Sequence, residues 1–399
     1  MWSSLPPRRT RDPLRKPPTS DDLVSARVAW RILTHEKART FLAMAGIFVA
    51  ILLVFVELGF FVAVPQGGML IYSRMRFDLL LCSSAYVYQA QSADFPRIRL
   101  YQALAAPAVA RATPLYFGSA SWLNAEGGTR PDIFVIGFDP HAQVFDVADI
   151  ESRIDLLEQP DTVLVDSATR SSFGPLRPGR EVEIGGRAEK IGDVYTLGTG
   201  FLGLGVVLAS ESNFFRLFPT RSRGSVNLGL IQLKPGADPP RAAAELRAVL
   251  PGDTQVFTRD QLQAREVAYW TTRTSTGLIF GSGLIVSFIV GIMVLYQTLS
   301  TQVSRQLPQF ATLKAIGYTD RALSAIVVTL SLLVVTVAFV PALAAALAIY
   351  SVIRRQTLLP VALSPGRLAA VLAITLVMAA VSASLSLGSL RRADPAELF

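Results

Sequence analysis

The chain has 399 residues, 51% of them hydrophobic and 17% charged, with a formal net charge of +8 and a mean hydropathy of +0.41. That is too apolar for an ordinary soluble enzyme. Nor does the charge mark a nucleic-acid binder: nine Lys and Arg fall in residues 1–40, whereas residues 65–276 are balanced at 21 basic and 22 acidic, so the excess lies beside apolar segments, where anionic lipid attracts it.

Residues 1–22 are rich in Pro, Arg and Asp and have no apolar core, so they read as a disordered basic tail rather than a cleavable signal peptide. Residues 23–40 read as an amphipathic helix, with Trp30 at an interfacial position. It feeds the first of four stretches that reach the roughly 20 apolar residues needed to cross a bilayer: 41–64, 277–299, 323–350 and 368–390. Only helices satisfy their own backbone in lipid, and Pro341 predicts a tilt or kink in the third. Arg305, Lys314 and Arg321 after the second span, Arg391 and Arg392 in the tail, and the basic N-terminus place both termini in the cytoplasm. Arg354, Arg355 and Arg367 on the short outer loop oppose this more weakly.

Within the first span, Glu57 is an intramembrane carboxylate. Such a group is either functional or structural: it snorkels to water, hydrogen-bonds a neighbouring helix, or relays protons, and no intramembrane partner for a relay is evident. Residues 65–276 alternate strand-like and helix-like runs. Strands are predicted within 77–87 and over 113–122, 133–138 and 161–165, a short helix over 97–106, and a hairpin over 181–190 turning at Gly185-Gly186. A strand, helix, strand series follows over 226–233, 239–250 and 254–257. This is an α+β extracytoplasmic domain of two subdomains, with about 140–225 inserted in the first. Cys82 stands alone, so no intramolecular disulfide forms, and a buried structural thiol is expected.

Catalytic chemistry is poorly represented. None of the five lysines, Lys16, Lys37, Lys190, Lys234 and Lys314, sits in a P-loop. The two histidines, His35 and His141, fall on opposite sides of the membrane, which disfavours a triad or a zinc site. No nucleophile elbow occurs. The Gly-rich run from Gly198 to Gly205 lacks the context of a dinucleotide fingerprint and reads as a loop with an apolar tip at Phe201-Leu202-Gly203-Leu204.

The second span opens on Gly277 and Gly281, a small-residue face suited to close helix packing, within the chain or across a dimer. Beyond it, Pro308 suits the first turn of a short helix and Gly317 its C-terminal cap, with Phe310 and Leu313 on one face and Lys314 beside them. Residues 308–317 are either a membrane-surface turn or a helix that docks into a cytoplasmic partner.

Arg305 with Thr312-Leu313-Lys314-Ala315-Ile316-Gly317-Tyr318 resembles the cytoplasmic loop of FtsX-like permeases, which include the MacB and Lol transporters. More closely the chain resembles DevC-like permeases, through Glu36-Lys37-Ala38-Arg39, Glu57-Leu58-Gly59-Phe60, Pro114-Leu115-Tyr116, Ile133-Phe134-Val135-Ile136-Gly137-Phe138, Leu233-Lys234-Pro235-Gly236-Ala237-Asp238-Pro239 and Ala393-Asp394-Pro395-Ala396. The resemblance implies four transmembrane helices with the large α+β domain between the first two, in the bacterial inner membrane. It implies a non-catalytic homodimeric permease that couples ATP hydrolysis by a separate DevA-like ABC ATPase to movement of its periplasmic domain, ATP and Mg being bound by that ATPase. A DevB-like periplasmic adaptor and, indirectly, an outer-membrane duct complete a tripartite exporter, with a lipid-like or amphipathic cargo. The coupling helix of the family falls on Arg305, Gln309, Phe310, Leu313, Lys314 and Gly317. At Gln309 the family usually has Glu, so a charge pair with the ATPase is neutral here. The alternative output is FtsX-like signalling, in which the outer domain activates an extracytoplasmic enzyme; an outer domain of this size favours transport.

Overall fold

The computed structural model describes residues 37–198, 203–309, 312, 319–357 and 361–392. The expected tail and amphipathic helix before residue 37 lie outside them. Helix α1, Lys37–Ser73, is 37 residues long. At ~1.5 Å per residue it reaches about 55 Å, well beyond a hydrocarbon core of about 30 Å. It therefore continues through Pro65 past the expected end of the first span. The extra turns are held by burial: Ile71 and Tyr72 are inaccessible to solvent and pack into the core of the domain that follows.

That domain is built on one sheet. Its elements are β1 (Leu79–Ser83), β2 (Phe95–Pro96), α2 (Ile98–Leu104), β3 (Val109–Leu123), β4 (Asp132–Phe138), α3 (Ala148–Glu151), β5 (Thr162–Asp166), β6 (Glu181–Ile184), β7 (Arg187–Tyr195), β8 (Val206–Ser210), α4 (Glu211–Leu217), β9 (Ser225–Val226), β10 (Leu228–Leu233), α5 (Pro239–Val249), β11 (Thr254–Thr258) and α6 (Arg259–Thr272). Nine strands run in the order β11-β1-β10-β3-β4-β8-β5-β7-β6, while β2 and β9 pair separately. The long strand β3 joins two wings. Its first half pairs with β10 and its second half with β4. Its last residues, Trp122 and Leu123, pair with Ile184 and Glu183 of β6, which closes the second wing into a ring. The stretch 140–225, expected as an inserted subdomain, supplies β5 to β8 of this ring and so shares one sheet with the rest.

Both faces of the sheet are covered. In β4, Ile133 and Val135 enter one core while Phe134, Ile136 and Phe138 enter the other. Strands β1, β5 and β8 divide in the same way, Leu79 and Leu81 against Leu80 and Cys82 in β1. Side chains alternate with period two, but with both sides buried the strands read as continuous apolar runs, which is why 77–87 shows no polar alternation. Helix α5 covers one face through Ala242, Ala243 and Leu246, and α6 covers the other through Leu262.

Three long helices follow: α7 (Ser275–Arg305), α8 (Asp320–Thr357) and α9 (Pro365–Arg392). With α1 they provide four helices long and apolar enough to cross a membrane, over Met44–Ser73, Ser275–Arg305, Leu323–Arg354 and Pro365–Gly388. The chain divides into two compact units. One is Val56–Leu284 with Leu347–Ser364, the other Met1–Phe55, Ile285–Ala346 and Pro365–Phe399. In the second unit, helix contacts are made by small and hydroxyl residues, as is usual in lipid. Ser331 donates to the Ala379 carbonyl at 3.2 Å and Ser382 to the Ile292 carbonyl at 2.9 Å. Gly291 leaves room for Met378, whose Cε would lie 1.8 Å from a Cβ there.

Candidate functional site

The end of α1, the loop after β1 and helix α6 meet at a buried polar cluster. Tyr72 sits in the last turn of α1, Tyr86 follows β1, and Glu266 and Trp270 lie one turn apart on α6. The Tyr86 hydroxyl donates to Glu266 Oε1 at 2.5 Å, and the Tyr72 and Tyr86 hydroxyls are 2.9 Å apart. Because Tyr86 has a single proton and gives it to Glu266, Tyr72 donates to Tyr86. The Trp270 indole N–H donates to Glu266 Oε2 at 3.3 Å. Gly68 on α1 permits the approach: a Cβ there would stand 2.5 Å from Trp270 Nε1.

Arg259 seals the same junction. Its Nε donates to the Phe77 carbonyl at 2.8 Å, its Nη1 to the Tyr72 carbonyl at 3.3 Å and its Nη2 to the Met75 carbonyl, and the guanidinium lies 4.1 Å over the Phe77 ring. The last carbonyls of a helix have no intrahelical partner and carry partial negative charge. A cation from α6 thus caps the end of α1. The start of α6 is itself fixed by a capping box between Thr258 and Gln261.

Burial pushes the Glu266 carboxyl up to about 7, against the Tyr86 and Trp270 hydrogen bonds and the Arg265 charge, which favour the anion. Burial likewise raises Tyr86 well above the usual phenol value, with the neighbouring Tyr72 and Glu266 adding to it. A second buried carboxylate, Asp166, is raised to about 6 by burial. It accepts from the backbone N–H of Ala168 and of Gly198, both at 2.8 Å, and so anchors the start of the Gly-rich loop. Gly198 is packed near α1: a Cβ there would lie 2.9 Å from Leu70 Cδ2. Residues 199–202, including Phe201 and Leu202, lie outside the described residues.

The residues singled out from sequence are distributed as follows. Glu57 is half-buried on α1, against Gly283 of α7, where a Cβ would meet its Oε2 at 2.5 Å. Its Oε2 is buried without a hydrogen-bond partner among the described residues. Gly281 faces Phe61 of α1 at van der Waals distance, and Gly277 faces the Trp270 and Thr271 carbonyls at the α6–α7 turn. Both glycines are thus used inside the chain. Arg305 ends α7, and Gln309 is helical and exposed. The Thr312 hydroxyl donates to the Pro308 carbonyl at 2.9 Å, one helical turn back. Phe310, Leu313, Lys314 and Gly317 lie outside the described residues. Tyr72, Tyr86, Arg259, Glu266 and Trp270 were missed by sequence reasoning. The available signals were the Thr258-x-x-Gln261 cap and the i, i+4 spacing of Glu266 and Trp270. Among the described residues no group of three or more His, Cys, Asp or Glu is placed to hold a metal.

A helix end gripped by a second helix through buried hydrogen bonds is suited to transmitting displacement rather than to bond making. Comparisons with known proteins agree with a membrane-transport setting. The model of the MacB-like periplasmic core domain matches residues 40–249, and that of the FtsX-like permease C-terminal matches residues 281–395. Comparison with curated proteins gives no match. Among solved structures, the periplasmic region of MacB from Actinobacillus actinomycetemcomitans is similar at 9% identity, covering 49% of this chain and 94% of that one, with a TM-score of 0.34. The extracellular domain of the noncanonic ABC-type transporter YknZ from Gram-positive bacteria is similar at 13% identity, covering 46% and 99%, with a TM-score of 0.32. A domain of a putative permease protein from Porphyromonas gingivalis is similar at 14% identity, covering 52% and 96%, with a TM-score of 0.31. With one family model spanning more than half of its length and a second covering the helices that follow, the chain belongs to the MacB- and FtsX-like ABC permease family, as a multi-pass membrane protein with a periplasmic core domain.

Proposed function

We propose that this chain is the permease subunit of an ATP-driven tripartite exporter. It works as a homodimer, with a separate DevA-like ATPase on the cytoplasmic side, a DevB-like adaptor on the periplasmic side and a lipid-like or amphipathic cargo. ATP and Mg belong to the ATPase, and this chain does no bond chemistry. The cytoplasmic input is the segment from Arg305 to Gly317. The observation that carries the reading is the joint of Tyr72, Tyr86, Glu266, Trp270 and Arg259. Helix α1 ends in it, and α6, which leads through two residues into α7, forms its other side. Helix α1 is therefore tied at the domain's entrance to α6, which follows β11 directly and leads through the turn at 273–274 into α7. A displacement of α1 or α6 reaches β1 and β11 directly.

Co-purification of the full chain from native membranes in mild detergent tests this. Recovery of an ATPase together with a periplasmic adaptor supports export. An ATPase with a cell-wall hydrolase instead replaces export by FtsX-like signalling, and recovery without any ATPase removes both.

A further inference from the structure

A second feature of the same region is not needed for transmission. Beside α6, a cleft of about 290 Å³ is lined by Tyr86, Arg265, Tyr269, Thr272 and Arg273, among others, and no carboxylate lines it. Arg265 lies over the Tyr86 and Phe257 rings and donates one Nη2 to the Tyr86 carbonyl at 2.6 Å. Among the described residues it has no carboxylate partner within ion-pair distance, and its Nε is buried without an acceptor. Arg273 is exposed and forms no ion pair among the described residues. Arg265 and Arg273 thus line one cleft, and neither forms an ion pair among the described residues. Glu266, whose charge Arg265 feels, is hydrogen-bonded inside the joint by Tyr86 and Trp270.

The height of the cleft along the chain matters as much as its charge. Arg273 lies two residues before α7 begins at Ser275, and strongly exposed apolar surface starts at Leu278 and Ile279, 72% and 60% exposed. Only residues 274–277 separate Arg273 from that surface, and a bilayer carries a headgroup layer roughly 5–8 Å deep on each side of its hydrocarbon core. The cleft is also flanked by an aromatic cluster of a kind enriched at that depth. Tyr88 stacks on Tyr269 with ring centroids 4.9 Å apart, and Trp270 meets Tyr269 edge-on at 5.5 Å. Guanidinium groups match the oxygens of a phosphate in fork geometry, and they tolerate partial burial better than an ammonium group.

We propose that this cleft seats the phosphate of an anionic phospholipid from the periplasmic leaflet, held between Arg265 and Arg273. An acyl chain then runs down the exposed apolar surface that begins at Leu278.

The test is native mass spectrometry of the delipidated full chain in detergent, titrated with phosphatidylglycerol, phosphatidylcholine or inorganic phosphate. R273Q and R265Q are compared with R241Q, a surface control whose arginine is 81% exposed. Because Arg273 and Arg241 are both exposed, neither change threatens folding, and R273Q keeps the test valid if R265Q is unstable. The expected result is one phosphatidylglycerol fewer per chain, or about tenfold weaker binding of one, in R273Q and R265Q. R241Q should match the unchanged protein, and phosphatidylcholine should show no such dependence. Equal phosphatidylglycerol binding in R273Q and the unchanged chain overturns the proposal. Arg273-dependent binding of inorganic phosphate without phosphatidylglycerol overturns the lipid source and leaves a site for a free anion.

Discussion

A carboxyl group enclosed by two tyrosines and a tryptophan keeps its proton to higher pH than one in water. For Glu266 the folded value is about 7 against an ordinary 4.5. Between those values the folded chain holds a proton that the unfolded chain has released, so stability falls as pH rises through the window, by up to about 3 kcal/mol. Asp166, raised to about 6 from 3.8, acts in the same direction at lower pH. E266Q, which imitates the protonated acid, is therefore expected to flatten the upper part of this dependence. Melting temperatures of the detergent-solubilised chain from pH 5 to pH 8 measure it, and equal slopes in the two proteins would show that Glu266 is not the titrating group. Cys82 offers an independent check on the core beneath the joint. It is inaccessible to solvent, its thiol is pushed up to about 12 by burial, and its Sγ lies 3.8 Å from the Gln255 carbonyl. The thiolate is the reacting form. At pH 8 a maleimide is expected to label the folded chain at least a hundredfold more slowly than the same chain in denaturant, and comparable rates would mean that β1 is not packed as described.

At the scale of elements, Arg259 shows how a polar helix becomes the keystone of an apolar one. Replacing it by Gln removes a donor from the Tyr72, Met75 and Phe77 carbonyls, of which Tyr72 keeps the Met75 N–H, and removes the cation from the end of α1. Losing a half-buried charged donor costs about 1.5–3 kcal/mol, so R259Q is expected to lower the melting temperature of the solubilised chain by a few degrees. T258A, which removes only the cap of α6, should cost about 1 kcal/mol. A cost for R259Q no larger than that of T258A would remove Arg259 from the joint. The same helix marks the limit of what the sequence made legible. The four spans were evident because lipid demands long apolar runs. The strands at 113–122, 133–138 and 226–233 and the hairpin turning at Gly185-Gly186 were evident from β-branched and aromatic runs punctuated by Gly and Pro. Strand β8 was not, because Val206–Ser210 is a five-residue buried run directly after a Gly-rich loop, with no periodicity to distinguish it. Helix α6 was overlooked because its only fully buried side chains are Leu262 and Glu266, so it has almost no apolar stripe. Its function rests on polar side chains whose partners lie far away in sequence, Tyr86 being 180 residues from Glu266. No local pattern encodes such a pairing.

For the whole molecule, input and output should be separable by mutation. Helices α1 and α7 each run unbroken, α1 from Lys37 to Ser73 and α7 from Ser275 to Arg305. A stiff helix passes on a displacement at one end only if its other end is held, and α1 is held by Arg259 and the Tyr72–Tyr86–Glu266 chain. Damage at the cytoplasmic end should therefore abolish engagement of the ATPase, whereas damage at the joint should leave engagement intact and abolish its consequence. Introducing Asp at Phe310 or Leu313 puts a charge on the apolar face of the expected coupling helix. Burying an unpaired carboxylate in an interface costs several kcal/mol, enough to reduce co-purification of the ATPase by a hundredfold or more. The periplasmic domain should be untouched, with the melting temperature and Cys82 protection of the unchanged chain. R259Q should show the reverse: normal ATPase recovery and ATP turnover in the assembled complex, with loss of the export proposed above. Retained ATPase binding in both F310D and L313D would remove the coupling role from 308–317. Retained export in R259Q, with α1 demonstrably loosened by faster amide exchange around Tyr72, would mean that force reaches the periplasmic domain by another route, and the joint would then be a structural cap alone.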